Sequence, residues 1–259
     1  MRSETVQFLL DLNHRFYQTF GGAFAATRRR VQPGVRRVMA GLAEGARLLD
    51  LGCGSGALAL ELRRQGRAAA YLGLDASEPL LNEARAALTA GEEGGMGGMD
   101  IRFAAADLAD PGWAGLAAGE AFTAVLAFAV LHHLPGDDLR ERLLRQVNAL
   151  LPAGGRFIHS EWQFQHSPRL LARMQPWESL GLDPAELDEG DTLLDWRYTL
   201  PGQVEGSGLR YVHLFTRAEL AALAEASGFE IIDEFESDGE GGRLGLYQSW
   251  GKIHEFRAD

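Results

Sequence analysis

Apolar residues recur at two different spacings along the chain, and the change between them divides it into segments. In residues 1–45 the spacing is three or four, as on one face of a helix. It predicts one helix that stops at Gly21-Gly22 and a second that begins at Pro33. Between residues 46 and 160, short apolar runs alternate with helical patterns, which is typical of a parallel, doubly wound α/β sheet.

The same patterns give the individual elements of this sheet. The predicted strands and helices of residues 46–160 are strands 47–51, 69–75, 101–105, 122–128 and 156–160, and helices 57–65, 78–90 and 137–151. A capping box of Thr216 and Glu219 then starts another helix, which two strands at 230–236 and 246–253 follow. Since no helix separates those two strands, they must pair antiparallel. We therefore expect a Rossmann-like, mainly parallel seven-stranded sheet with an antiparallel last strand.

Residues 161–212 interrupt the alternation of strand and helix. They carry three tryptophans among several prolines and glycines, and we interpret them as an inserted cap over the carboxyl edge of the sheet. We expect one domain in four parts: N-terminal helices (1–45), a ligand-binding core (46–160), the cap (161–212), and a C-terminal helix with a strand pair (213–259).

The composition of the chain indicates its class and the cellular compartment in which we expect it. The 259 residues are 46% hydrophobic and 24% charged, as in ordinary globular proteins. No apolar run is long enough to span a membrane, and the N-terminal residues lack the features of a signal peptide. The single cysteine, Cys53, excludes an intrachain disulfide. Together these features favour a cytoplasmic protein.

The formal charge is unevenly distributed along the chain. The whole chain carries −11, but residues 1–47 hold eight arginines against three acidic residues, a local +5. The bulk charge argues against non-specific nucleic-acid binding, whereas the basic N-terminal segment favours an anionic partner.

A glycine-rich turn follows the first predicted strand and opens the next helix. Its sequence is Leu48-Leu49-Asp50-Leu51-Gly52-Cys53-Gly54-Ser55-Gly56. Glycine lets the backbone approach a ligand closely, and a helix N-terminus offers N–H groups to that ligand. With Ala57, the turn also satisfies a loose dinucleotide fingerprint, so it predicts a nucleotide-type ligand whose identity stays open at this point.

Acidic residues follow the next two strands. Asp75 lies at the end of the second strand, where a carboxylate accepts hydrogen bonds from the ribose hydroxyls of an adenosine ligand. Asp107 follows the third strand, and its carboxylate is a candidate acceptor for the adenine amino group. Because carboxyl ends of parallel strands share one edge, both acids are expected near the glycine turn.

The fourth strand leads into Ala127-Phe128-Ala129-Val130-Leu131-His132-His133-Leu134. Ligands of open α/β sheets bind outside the carboxyl ends of the strands, so we expect Phe128 near the ligand and the two histidines close by. No cysteine or acid lies at metal-ligand spacing from these histidines, and no metal is expected.

Together these segments resemble the class I S-adenosylmethionine-dependent methyltransferases, over about residues 45–160 and the C-terminal part of the chain. Leu131–Leu134 and Leu150–Gly155 match further motifs of that family. The resemblance implies that S-adenosylmethionine is the cofactor and S-adenosylhomocysteine its product, with Asp50 near the methionine end. The cofactor site that it implies consists of Asp50, Gly52, Cys53, Gly54, Gly56, Asp75, Ala76, Asp107, Leu108, Ala127 and Phe128.

Two other classes of function remain as alternatives. A nicotinamide-dependent oxidoreductase would use the same glycine turn together with Asp75, and a non-catalytic module would bind S-adenosylmethionine without turnover. The antiparallel strand pair and the segments around Asp107 and His132-His133 disfavour the oxidoreductase.

A narrower resemblance concerns the methyl acceptor. Phe16-Tyr17, Thr27-Arg28, Arg210–Phe215 and Glu219-Leu220 resemble the tRNA methyltransferases that esterify 5-carboxymethyluridine at the wobble position. In those enzymes an Arg-Tyr-x-His segment precedes the last helix. The resemblance implies a tRNA acceptor, and a small acidic molecule is the alternative.

The chemistry of the acceptor decides which side chains are needed. A carboxylate nucleophile requires only a cationic group, for which Arg28, Arg197 and Arg210 are candidates. A hydroxyl or amine nucleophile requires a base as well, for which the candidates are His132, His133 and His213. No general-base pair is evident in the sequence, which favours the carboxylate.

Overall fold

A computed structural model describes residues 1–27, 30–90, 98–198 and 206–253 of the chain. The strands are β1 (Ala46–Leu51), β2 (Ala68–Asp75), β3 (Asp100–Ala105), β4 (Ala124–Phe128), β5 (Arg156–Trp162), β6 (Met174–Gln175), β7 (Asp191–Tyr198), β8 (Gly206–His213), β9 (Phe229–Ser237) and β10 (Gly245–Lys252). The α-helices are α1 (Ser3–Thr27), α2 (Pro33–Gly41), α3 (Ala57–Gln65), α4 (Glu78–Ala90), α5 (Asp137–Leu150), α6 (Pro168–Leu171) and α7 (Arg217–Ala226). No helix in these ranges is long and apolar enough to cross a membrane.

The main sheet has seven strands in the order β3-β2-β1-β4-β5-β10-β9. β1 to β5 pair in parallel, and β10 is antiparallel to both β5 and β9. This confirms the expected Rossmann-like sheet with its antiparallel last strand.

Alternating side chains of the central strands supply two core layers. Leu49 and Leu72 pack on one face of the sheet with apolar residues of α5 and α7. Leu48 and Tyr71 face the other way, toward α2 and α3. This period of two is expected for strands covered on both faces. The covered faces leave the strand ends as the place where a ligand binds.

The first helix does not stop at Gly21-Gly22, as the sequence pattern predicted, but continues to Thr27. A Cβ atom on Gly21 would lie 3.1 Å from Ser77 Oγ and 3.3 Å from Leu80 Cγ. The glycine therefore permits close packing against the start of α4. Glycine costs a helix about 1 kcal/mol relative to alanine, and this packing offsets that cost.

The predicted cap contains a second sheet, which the sequence pattern did not reveal. Its order is β6-β7-β8, and β7 pairs with β8 from Asp191↔His213 to Tyr198↔Gly206. α1 lies beside β8 and satisfies its outer edge through Asn13. The Asn13 amide accepts from Tyr211 N at 2.8 Å and donates to Tyr211 O and His133 O, each at 3.1 Å.

We predict that Asn13→Ala destabilises the protein, because it leaves buried backbone groups of Tyr211 without these hydrogen bonds. Each unsatisfied buried group costs about 1–3 kcal/mol, so the free energy of unfolding should fall by at least that amount. Urea denaturation measures it. Gln7→Ala on the exposed face of the same helix is the control and should change stability by less than about 0.5 kcal/mol. Equal effects of the two variants would contradict the role given to Asn13.

Candidate active site

A cleft of about 1450 Å³ lies along the carboxyl edge of the main sheet. Its floor is formed by residues at or after the ends of β1, β2, β3, β4 and β5. Its other walls come from α1, the start of α2, the cap and the link between β9 and β10. Successive parallel strands end at this edge, so residues far apart in sequence meet here.

The glycine turn after β1 has the backbone conformation that its sequence requires. Gly52, Gly54 and Gly56 have φ angles of 69°, 55° and 73°, in the left-handed region that favours glycine. A Cβ atom on Gly52 would lie 2.6 Å from Val130 Cγ2. Gly52 and Gly54 line the cleft, so the backbone itself forms its surface there.

Asp75 ends β2 and is held by two backbone donors. Gly54 N donates to Oδ2 and Ser77 N donates to Oδ1, both at 2.8 Å. Burial raises the pKa of this carboxyl group, and the two hydrogen bonds oppose the shift. Each oxygen keeps a lone pair, and the side chain lines the cleft, which suits it to accept from ribose hydroxyls.

Asp50, near the end of β1, is 3% exposed and lines the cleft. Tyr71 on β2 donates its hydroxyl hydrogen bond to this carboxyl group. Burial raises the pKa of Asp50 to about 7, with the Tyr71 hydrogen bond lowering it and the charge of Asp75 raising it. A bound ammonium group would favour the ionised form.

The remaining predicted cofactor residues lie along the same wall. Cys53, Ala76, Asp107, Leu108 and Phe128 all line the cleft. The next residue after β4, Ala129, has a φ angle of 58°, which is unusual for a residue with a Cβ atom. Ser160 stabilises this turn, since its carbonyl and its hydroxyl both accept from Ala129 N.

The cap contributes a basic wall to the cleft. Of the described cap residues that line it, Arg169, Arg173, Arg197 and Arg210 are basic and Asp195 is acidic. Arg210 is 3% exposed, and its guanidinium carbon lies 4.6 Å above the Trp162 ring. Burial lowers the pKa of Arg210, the charge and hydrogen bonding of Tyr17 oppose this, and the charge of Arg173 lowers it further.

Two histidines predicted as catalytic are placed behind the cleft wall instead. His132 is fully buried, with Nδ1 2.7 Å from Glu161 Oε2. His213 is 1% exposed and is held between Asp191 Oδ1 at 2.7 Å and Glu219 Oε1 at 3.2 Å. Neither lines the cleft, so their positions do not support a direct role in the reaction and fit a structural one.

Two of the predicted cofactor residues also differ from expectation. Gly56 and Ala127 do not line the cleft. A Cβ atom on Gly56 would lie 2.9 Å from Ala84 and Phe103, so this glycine serves helix packing. Arg28 lies outside the described residues.

Two polar side chains lie in contact in the structure although the sequence itself shows no sign of this contact. Tyr17 Oη of α1 lies 2.9 Å from His133 Nε2, and both residues line the cleft. They are 116 positions apart, so no local pattern indicates the contact. The described residues contain no cluster of three metal-ligating side chains.

This sheet, with a glycine turn between the carboxylates of Asp50 and Asp75, is the arrangement expected of an S-adenosylmethionine-dependent methyltransferase. The chain belongs to the family described as "Methyltransferase domain", which matches residues 24–234. This membership replaces the oxidoreductase and non-catalytic alternatives. S-adenosylmethionine is the cofactor.

Comparison with individual proteins agrees with this assignment. The chain is 29% identical to a methyltransferase-family protein of Encephalitozoon cuniculi over 85% of this chain and 88% of that one. It is 26% identical to the tRNA (carboxymethyluridine(34)-5-O)-methyltransferase alkbh8 of Xenopus tropicalis, over 59% of this chain and 21% of that one. Its fold matches the magnesium protoporphyrin IX methyltransferase of Synechocystis with bound S-adenosylhomocysteine, with a TM-score of 0.60, 19% identity and coverage of 92% and 97%.

We predict that Asp75→Ala weakens S-adenosylhomocysteine binding by roughly 1.5–3 kcal/mol, about tenfold or more in Kd, as expected for lost hydrogen bonds to a charged group. Isothermal titration calorimetry measures the affinity. Asp110→Ala is the matched control, because Asp110 accepts from Gly112 N at 2.8 Å and does not line the cleft. Unchanged affinity in a folded Asp75→Ala variant would show that Asp75 only stabilises the turn after β2 and does not bind the cofactor.

Cofactor binding should also depend on pH through Asp50. Its pKa of about 7 means that the carboxyl group is mostly neutral at pH 6 and mostly ionised at pH 8. An ammonium group binds the ionised form, so the Kd for S-adenosylhomocysteine should fall about tenfold from pH 6 to pH 8.

Two variants test the cause of this dependence. Asp50→Asn should abolish it, and Tyr71→Phe should move its midpoint upward, because the Tyr71 hydrogen bond lowers the pKa of Asp50. A Kd that is constant between pH 6 and pH 8 in the unmodified protein would contradict the position given to the ammonium group.

Proposed function

We propose that this methyltransferase transfers the methyl group of S-adenosylmethionine to a small acceptor that carries an anionic group, which Arg210 and Arg173 bind. The observation that carries the proposal is the position of Arg210, a guanidinium that is 3% exposed in the wall of the cofactor cleft, with the charge of Arg173 close enough to lower its pKa. A negatively charged ligand between two such groups relieves their repulsion.

The distribution of charge within the cleft supports this proposal. The cofactor end carries Asp50, Asp75 and Asp107, which suit the ammonium, ribose and adenine groups of the cofactor. The cap end is basic, and its acidic residue Asp195 already pairs with Arg197 at 2.8 Å. An anionic acceptor is therefore attracted to the cap end and repelled from the cofactor end.

The cap has a second proposed role, which is to enclose the methyl group during transfer. Residues from both ends of the segment, Trp162 and Arg210, lie in the same wall of the cleft with their side chains in contact. Holding the nucleophile and the methyl group in line lowers the free-energy barrier of such a displacement by about 7–11 kcal/mol. The cofactor supplies the activated methyl group, and the residues of the cleft orient its acceptor and exclude water.

Three arginines of the basic N-terminal segment contact other parts of the protein. Arg2 pairs with Glu186, and Arg47 lies 3.6 Å from Glu120. Arg37 lies 3.9 Å above the Phe235 ring on β9. These three arginines of the described residues lie against different elements and do not form one surface.

A modified tRNA is the second candidate acceptor. It is favoured by the similarity to the Xenopus tRNA methyltransferase and by the resemblance carried by Arg210–Phe215. In that case the carboxylate of the wobble uridine would be the anionic group at Arg210.

The test is to incubate the protein with radiolabelled S-adenosylmethionine and, separately, the small-molecule extract and total tRNA of the organism that carries the gene. We expect label in an anionic small molecule. Arg173→Ala should raise the KM for that molecule roughly tenfold or more, the effect of losing a charge-assisted hydrogen bond, with kcat changed little.

Arg145→Ala is the matched control, since Arg145 pairs with Glu141 on α5 and does not line the cleft. Label found only in neutral or cationic molecules would show that the proposal is wrong. Label confined to tRNA would establish the second candidate.

A further inference from the structure

The neighbours of the Tyr17–His133 pair determine which of its nitrogen and oxygen atoms carry a hydrogen. His133 Nδ1 lies 3.2 Å from the carbonyl oxygen of Tyr211, which only accepts hydrogen bonds. Nδ1 therefore carries the hydrogen of the neutral ring, and Nε2 is left as an acceptor. The hydroxyl group of Tyr17 donates to Nε2 across 2.9 Å.

The buried amide of Asn13 keeps this arrangement in place. It bonds to the backbone of both Tyr211 and His133, so the carbonyl that orients the imidazole is itself held. The His133 ring also packs edge-on against Tyr17, with 5.5 Å between ring centroids. The imidazole is thus positioned before any ligand binds.

Arg210 lines the same cleft and interacts with the phenol of Tyr17. The phenol of Tyr17 raises the pKa of Arg210 through its charge and through hydrogen bonding, in which the guanidinium can only be the donor because arginine has no acceptor. A guanidinium at that oxygen stabilises negative charge that develops there when a proton leaves. Tyr17 therefore interacts with both a cation and a proton acceptor, in the wall of the cleft.

We propose that the methyl-accepting atom is a protic group, a hydroxyl or an amine, that is separate from the anionic group, and that Tyr17 with His133 removes its proton. This inference rests on the proposed function only in taking from it the anionic group of the acceptor. The acceptor class is then a hydroxy acid or an amino acid type of molecule. A carboxylate nucleophile has no proton to lose and would make no use of the pair.

The step balances as follows. The lone pair of the acceptor atom forms the bond to the methyl carbon while the carbon–sulfur bond breaks and leaves its electron pair on sulfur. The proton of the acceptor atom passes to Tyr17 Oη as the proton of Tyr17 passes to His133 Nε2. This leaves a neutral tyrosine and an imidazolium, which later releases the proton to water. Tyr17 is the catalytic residue, and His133 acts through it.

Several charged and titratable groups surround His133 and bear on its proton. Tyr17 faces it from α1, and Arg210 of β8 lies beyond Tyr17. The His132 ring lies 4.4 Å from the His133 ring, with Glu161 of β5 behind it. Since an imidazolium cannot accept the proton of Tyr17, turnover should fall as the solution becomes acidic.

The first test needs no acceptor. In the protein with ¹⁵N-labelled histidines and bound S-adenosylhomocysteine, NMR at pH 8 should show His133 protonated at Nδ1 and unprotonated at Nε2. Tyr17→Phe should shift the Nε2 signal and leave the Nδ1 proton in place, and His133→Gln assigns the signals. A hydrogen on Nε2, or an Nε2 signal that Tyr17→Phe does not move, overturns the inference.

The second test is kinetic. Tyr17→Phe and His133→Gln should each lower kcat about 100-fold or more, the scale of general base catalysis, while the KM for the acceptor changes little. The fall in kcat toward acidic pH should disappear in Tyr17→Phe. Arg15→Gln, at an exposed position of the same helix that does not line the cleft, is the control. A normal kcat in Tyr17→Phe overturns the inference.

The third test distinguishes this inference from the proposed function. Methyl esters release labelled methanol in mild alkali, whereas methyl ethers and methylamines do not. An anionic product with alkali-stable label supports both proposals, and an anionic product with alkali-labile label overturns this inference alone. A neutral product with alkali-stable label and a slow Tyr17→Phe variant overturns the proposed function alone.

Discussion

The side-chain amide of Asn13 links three segments that lie far apart in the sequence. It bonds to the backbone of Tyr211 in β8 and to the carbonyl of His133 after β4, and it projects from α1. Because these bonds are buried, their geometry has little freedom. The spacing of the cleft walls depends on this contact, since Tyr17 follows Asn13 by one helical turn and Arg210 immediately precedes Tyr211.

The strand geometry of β8 explains why neighbouring residues of one motif have different roles. Successive side chains of a strand point to opposite faces, so Arg210 faces Trp162 while Tyr211 and His213 face away from it. On that other face, Tyr211 Oη and His213 Nδ1 both bond to Asp191 Oδ1, at 2.8 and 2.7 Å. A motif whose residue types suggest chemistry thus divides into one residue at the cleft and two that hold the cap sheet together.

The charges of the lining side chains differ between the two ends of the cleft. Carboxylates lie at the ends of β1 and β2 and after β3, and arginines of the cap line the other end. The cationic cofactor and the anionic acceptor that we propose would meet between them. The burial that lowers the pKa of Arg210 also strengthens its interaction with an anion, because both charges lose water. The same burial keeps Asp50 near neutrality until a cation binds.

The sheet, the glycine turn and the acids after β1, β2 and β3 could all be predicted from the sequence. Each of them follows from short-range patterns, such as alternating apolar residues, glycines at a strand end and an acid at the next one. The continuation of α1 through Gly21, the strands of the cap and the burial of His132 and His213 could not, because they depend on packing between distant segments. The contact between Tyr17 and His133 belongs to this second group, since 116 residues separate them. Only the packing of α1 against β8 and the turn after β4 brings them within hydrogen-bonding distance.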